Sequence, residues 1–210
     1  MEGWLQSIGD AASSMSLWEG AAVIFAIAYL LLAVRENIWC WFFAFISTAL
    51  YTTLFWDVNL LMDSALNVYY MAMAIFGWHQ WTRGGHEDNT EPHKLAIQSL
   101  SGRQHGFIIV AILLLSSVSG YLLSENSSAA WPYIDSFTTW ASVITTYLVT
   151  RKYLQNWLYW IVIDAVSVPL YIDRGLGLTA LLFVIYIIIA VVGYMNWHKH
   201  YRGNRQAVAA

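Results

Sequence analysis

Asp164 lies in the apolar stretch 156–172, where a carboxylate needs a chemical reason to be present. Counted from 156 at 1.5 Å per residue, it sits about 12 Å along a helix, near the middle of a membrane crossing. Insertion scales put the cost of such an acid at ~2.5 kcal/mol or more, so it should face an interior and hold a partner there. Trp160, Asp164, Ser167 and Tyr171 follow one another at four-three-four spacing, which places them on one helix face. That face reads either as part of a ligand site or as a tie between two helices.

A second group is Asn67 and Tyr70, which share a face with Ala74 and Gly77. A buried amide offers donors and an acceptor, which suits recognition of hydroxyls or a carboxamide. It serves equally as interhelical glue, worth only ~0.6 kcal/mol on average. Thr138, Ser142 and Thr145 share one side of the stretch 135–150, and small hydroxyl residues there fit close helix packing. Trp140 is the exception, with the flat surface to wall a site. Thr48 and Tyr51 are weaker candidates. The histidines (His79, His86, His93, His105, His198 and His200) all fall in or beside loops, without metal-like partners. No metal or cofactor is expected. Aromatics, an amide, hydroxyls and one carboxylate together suit an aromatic, polyhydroxylated molecule whose positive charge the acid would balance.

Elements able to position these residues follow from composition. Of 210 residues, 59% are hydrophobic and 11% charged, too little charge to clothe a soluble surface. A crossing needs roughly 20 apolar residues. Seven stretches approach that length: 17–34, 38–56, 60–81, 105–123, 135–150, 156–172 and 177–197. No barrel-like alternation competes, so the chain reads as an all-α integral membrane protein with seven transmembrane helices. The net charge of −3 offers nucleic acid no basic face. The single Cys40 excludes an internal disulfide, and no secretory signal precedes the first span.

Orientation follows from the cations. Arg35, Arg83, Lys94, Arg103, Arg151, Lys152, Lys199, Arg202 and Arg205 lie on one side if the spans alternate, and only Arg174 lies on the other. The positive-inside rule then puts the N-terminus outside and the C-terminus in the cytoplasm. Tyr70, Gly77 and Trp81 recur with the same spacing as Tyr186, Gly193 and Trp197, and Asn37-x3-Trp41 matches Asn156-x3-Trp160. Two three-helix units, 17–81 and 135–198, are therefore expected as a parallel 3+1+3 repeat, with 105–123 as linker helix. Segment 1–16 lies outside, 82–104 forms a cytoplasmic loop, and 199–210 forms a cytoplasmic tail. A site is expected between the units.

Asn67-Val68-Tyr69-Tyr70 with Gly77-Trp78-x2-Trp81, and Arg151-Lys152-Tyr153-x2-Asn156-Trp157-x2-Trp160-x3-Asp164, resemble the bacterial nicotinamide riboside transporters of the PnuC family. The resemblance spans roughly 17–200. It implies a SWEET-like architecture, a homotrimer in the bacterial inner membrane, and facilitated diffusion of a vitamin B3 precursor trapped inside by phosphorylation. Relatives carrying riboflavin or thiamine remain alternatives, as does a SWEET-like sugar carrier, although Pro169 is the only proline within a span. A retinal protein would need a lysine in 177–197, which has none. A receptor leaves the repeat unexplained. An enzyme would want a metal cluster or nucleophile–base pair within the spans.

The topology is tested with single cysteines at Ser127 and Asn89 in a protein lacking Cys40. An impermeant maleimide added to intact cells should label position 127 and spare position 89. Equal labelling at both would end the seven-span assignment.

Overall fold

The computed structural model describes residues 17–57, 61–83, 95–126, 131–173 and 177–209. These form seven helices: α1 Leu17–Val34, α2 Cys40–Asp57, α3 Leu61–Arg83, α4 Gly102–Asn126, α5 Pro132–Thr150, α6 Asn156–Asp173 and α7 Gly177–Ala209. Their positions agree with the seven apolar stretches to within a few residues, except at the C-terminal end. There α7 continues past the expected end at 197, through Ala209, because no proline stops it. Three helical stretches, Leu17–Val34, Gly102–Asn126 and Thr179–Asn204, are apolar enough to cross a membrane on composition alone. The others carry more Trp, Tyr, Thr and Ser side chains, some buried, as Trp41, Trp157, Thr145 and Ser167 are, and some exposed, as Trp56 and Tyr147 are. His86, His93, Lys94 and Arg174 lie outside the described residues.

Six helices close a ring. Helix α2 packs between α1 and α3, α3 meets α5, α6 packs between α5 and α7, and α7 returns to α1. Helix α4 stands outside the ring, packed on α5. Its outer face exposes Phe107, Val110, Leu114 and Val118, as a lipid- or protein-facing helix does. Where α4 meets α5, a Cβ on Gly120 would come within 2.6 Å of the Tyr133 ring, so only glycine permits that approach.

Two indoles are seated on glycines in the same way. A Cβ on Gly77 would fall 2.4 Å from the Trp41 ring, and one on Gly193 would fall 2.7 Å from the Trp157 ring. Trp41 and Trp157 are separated by the spacing that relates Tyr70 to Tyr186, Gly77 to Gly193 and Trp81 to Trp197, a shift of 116 residues. The geometry therefore corrects the expected match of Asn37-x3-Trp41 with Asn156-x3-Trp160. Trp41 corresponds in placement to Trp157, and that motif pairing is three residues out of register.

The same shift relates the ends of α1 and α5. Glu36 N–H donates to Ala33 O at 3.0 Å and Asn37 N–H to Leu32 O at 3.0 Å; Lys152 N–H donates to Val149 O and Tyr153 N–H to Leu148 O, both at 3.0 Å. Each is the paired bonding of a Schellman C-cap. The capping residues Glu36 and Lys152 have φ of 53° and 51°, where glycine would be unstrained. Their side chains explain the choice: Lys152 Nζ and Glu36 Oε2 pair at 2.9 Å. Burial pushes the Glu36 carboxyl up, but Lys152 and His200 outweigh it and hold the group below the usual carboxylate range. With a depressed value, its contribution to stability is present at neutral pH and lost as pH falls through that lowered value.

Gly77→Ala and Gly193→Ala should each destabilise the folded protein by ~1–3 kcal/mol, through overpacking against an indole. Thermal unfolding in detergent should show both losses. Gly106→Ala, with nothing within 4 Å of its Cβ, should be neutral or stabilising.

Candidate ligand site inside the helix ring

Helix α6 turns Asp164 and Ser167 inward. They are 3% and 4% exposed, and Ile163 and Leu170 are buried beside them. Ser167 Oγ donates to Ile163 O at 2.9 Å, so its hydroxyl is occupied within its own helix. The Tyr186 hydroxyl on α7 lies within electrostatic reach of both Asp164 and Tyr51 on α2, so the acid faces the ring interior. Tyr171 stacks on Phe183, centroids 5.0 Å apart, and Phe183 meets Tyr186 edge-on at 5.9 Å. An aromatic wall thus runs from the predicted Tyr171 to Tyr186, beside the carboxylate.

On α3, Asn67 is buried and Tyr70 half-buried, one turn apart. Tyr70 lies within electrostatic reach of Tyr29 on α1. Its neighbour Tyr69 donates its hydroxyl to Val143 O at 2.9 Å, fixing α3 against α5. Trp160 is partly buried and packs against both apolar clusters of the protein, one centred on the tryptophans, the other on Ile112, Ala141 and Ile163. Trp140 does not join the group. Its indole N–H donates to Ser119 Oγ on α4 at 3.0 Å, which turns the ring toward the helix outside the bundle. Helical spacing could identify the α5 face but not which neighbour it would meet.

Tyr51, Tyr186, Phe183 and Tyr29 are the interior residues that sequence reasoning passed over or ranked low. Tyr186 carried a signal, since it recurs with Tyr70. Among the described residues no group of His, Cys, Asp and Glu is placed to hold a metal. A shielded acid with the Tyr186 phenol in reach, and the rings of Phe183 and Tyr171 continuing from it, can neutralise and stack on a flat cation.

The architecture is that of a helical membrane protein with a candidate ligand site inside its ring. Residues 16–199 match the nicotinamide mononucleotide transporter family, and the chain belongs to that family. It is 27% identical to the nicotinamide riboside transporter PnuC of Escherichia coli K12, over 90% of this chain and 88% of that protein. It is 25% identical to the riboflavin/roseoflavin transporter RibM of Streptomyces davaonensis, over 88% of this chain and 86% of that one. A crystal structure of the vitamin B3 transporter PnuC shares its fold, with a TM-score of 0.71 and 24% identity, covering 95% of this chain and 90% of that one.

Asp164→Asn preserves shape and removes charge. Affinity for a cationic pyridinium nucleoside should fall at least about tenfold, equivalent to ~1.4 kcal/mol. Isothermal titration against the cation and a neutral isostere measures this, with the neutral compound much less affected. Unchanged affinity for the cation would return Asp164 to a structural role.

Proposed function

We propose that the protein carries nicotinamide riboside across the bacterial inner membrane by facilitated diffusion, with the N-terminus outside. Intracellular phosphorylation would then trap the substrate. The observation that carries this reading is Asp164, a carboxylate buried in the ring with the Tyr186 hydroxyl within electrostatic reach. A pyridinium ring supplies the missing positive charge, and the aromatic wall of Tyr171, Phe183 and Tyr186 offers faces to stack on it. We assign substrate contacts to Asn67, Tyr70, Trp160, Asp164, Ser167 and Tyr171, extended by Tyr51 and Tyr186. Trp140 is left to the contact with α4.

Charge also selects among related ligands. A mononucleotide would bring a phosphate into the ring, and among the described residues the buried cation is Lys152, already paired with Glu36. The riboside avoids that cost. Riboflavin is the second reading, favoured by the likeness to RibM, but a neutral flavin would leave the Asp164 charge without a partner. Homotrimeric assembly is consistent with the apolar outer face of α4, which can meet either lipid or another protomer.

Passive transport fits the shortage of ionisable groups. Proton- or sodium-coupled carriers place relays or ion ligands within the spans, whereas the cation held by Asp164 would occupy the one deep acid here. Uptake into proteoliposomes holding no kinase should equilibrate at equal concentrations on both sides at zero membrane potential. Accumulation driven by a proton or sodium gradient under those conditions would refute passive transport and make Asp164 the coupling residue.

A further inference from the structure

Four indoles form a continuous chain across the ring at its cation-rich end. Trp41 meets Trp81 edge-on with centroids 5.3 Å apart, Trp81 meets Trp197 at 6.0 Å, and Trp197 meets Trp157 edge-on at 5.5 Å. All four are at most 4% exposed. The chain runs from α2 through α3 and α7 to α6, so it joins the half formed by α1–α3 to the half formed by α5–α7.

The two central indoles exchange hydrogen bonds across the junction. Trp81 Nε1 donates to Val149 O at 3.3 Å and Trp197 Nε1 to Ala33 O at 3.0 Å, each reaching the first helix of the opposite half. Donors and acceptors are related by the same 116-residue shift, so the two bonds are one contact made twice. Lys152 Nζ stands 4.5 Å from the centroid of the Trp81 ring and pairs with Glu36, which also bonds His200 Nδ1 at 2.7 Å. Asn196 Nδ2 donates to Val34 O at 2.7 Å beside them.

We propose that this tryptophan chain, latched by Glu36–Lys152, is the gate that closes the pathway at the cation-rich end, and that parting it releases ligand on that side. The proposal deepens the carrier reading and rests on it. Within each half the contacts are unyielding, because Trp41 lies on the backbone at Gly77 and Trp157 on the backbone at Gly193. At this end the contacts between the halves include two indole bonds and the Asn196 amide bond to carbonyls, the Trp81–Trp197 ring pair, Lys152 over Trp81 and the partly exposed pairs of Glu36 with Lys152 and His200, all separable without unfolding either half. Rocking of two rigid units about a fixed site breaks that set and leaves the other intact. The segment 95–100 moves with the second half. Gln98 N–H donates to Lys152 O at 2.9 Å, Leu154 N–H to Gln98 O at 2.8 Å, and Gln155 Nε2 to Ser99 Oγ at 2.7 Å. Glu36 and Lys152 also occupy left-handed backbone positions where glycine would be easier, which is reasonable if their charges are needed there.

The test uses a reporter thiol that needs no ligand. Ser167→Cys in a Cys40→Ser background lies about 15 Å inward of Trp157 along α6, at 1.5 Å per residue. A small charged thiol reagent applied to membrane vesicles from the cation-rich side should modify it slowly. Combining Glu36→Gln with Trp81→Phe and Trp197→Phe, which keep the aromatic rings and remove the latch, should speed modification at least about tenfold. The charge exchange Glu36→Lys with Lys152→Glu, with both tryptophans kept, should retain the slow rate, because the two positions are related by the same shift. An unchanged rate in the latch-free protein, shown to be folded by its unfolding temperature, overturns the gate. Wild-type protein that fails to bind nicotinamide riboside would instead overturn the ligand assignment and leave the labelling result standing.

Discussion

An acid held in a ring of apolar helices is the constraint around which the interior is arranged. Hydrocarbon offers no water to solvate Asp164, so its charge must be met from within the ring. Among the described residues, the Tyr186 phenol stands within electrostatic reach of Asp164. Phenols can donate to the carboxylate and lower its cost without cancelling its charge. On the proposed ligand assignment, such an interior is incomplete until something positive enters. Ligand binding and satisfaction of the carboxylate would then be a single event, giving affinity for a cation without a resident counter-ion to displace.

A carrier must also come apart. The seated indoles set the boundary between what is rigid and what can move. Trp41 on Gly77 and Trp157 on Gly193 leave no space for even a methyl group, so each half behaves as a block. The bonds between blocks are of another kind: directional, few, and worth about 1 kcal/mol each for neutral pairs. Such a junction can hold one arrangement firmly and still exchange it for another on a transport timescale.

The spans were legible because length and hydropathy are one-dimensional properties. The inward face of α6 was legible too, since a four-three-four spacing survives any choice of neighbours. Trp140 was not, because helical periodicity names a face and leaves open whether α4 or the ring interior lies across from it. The Asn-x3-Trp motif misled in register: Asn156 stands where Cys40 stands in the first half, and the common aromatic residues near each helix start allow a match three residues away. Glu36 and Lys152 were read only as topology signals, because nothing local announces that two loop charges so distant in sequence will meet. Tyr186 comes within electrostatic reach of Asp164 and of Tyr51 only through tertiary packing.

The corrected register has a chemical consequence. Under the shift of 116 residues, Asp164 corresponds to Thr48, Ser167 to Tyr51 and Phe183 to Asn67, while Tyr186 keeps its counterpart in Tyr70. The shift relates the seated indoles and the helix caps, while these positions differ in residue type. One half brings the charge and the phenyl ring, and the other brings an amide, a hydroxyl and a second phenol. A ligand with two like ends would be matched by like residues at equivalent positions. On the proposed ligand assignment, this division would suit a molecule that is flat and cationic at one end and hydroxylated at the other. Amides and hydroxyls can pair with hydroxyls in either direction of donation, whereas the carboxylate is specific to charge. Divergence between two similar halves is therefore enough to give an approximately symmetric frame a preferred orientation for its cargo.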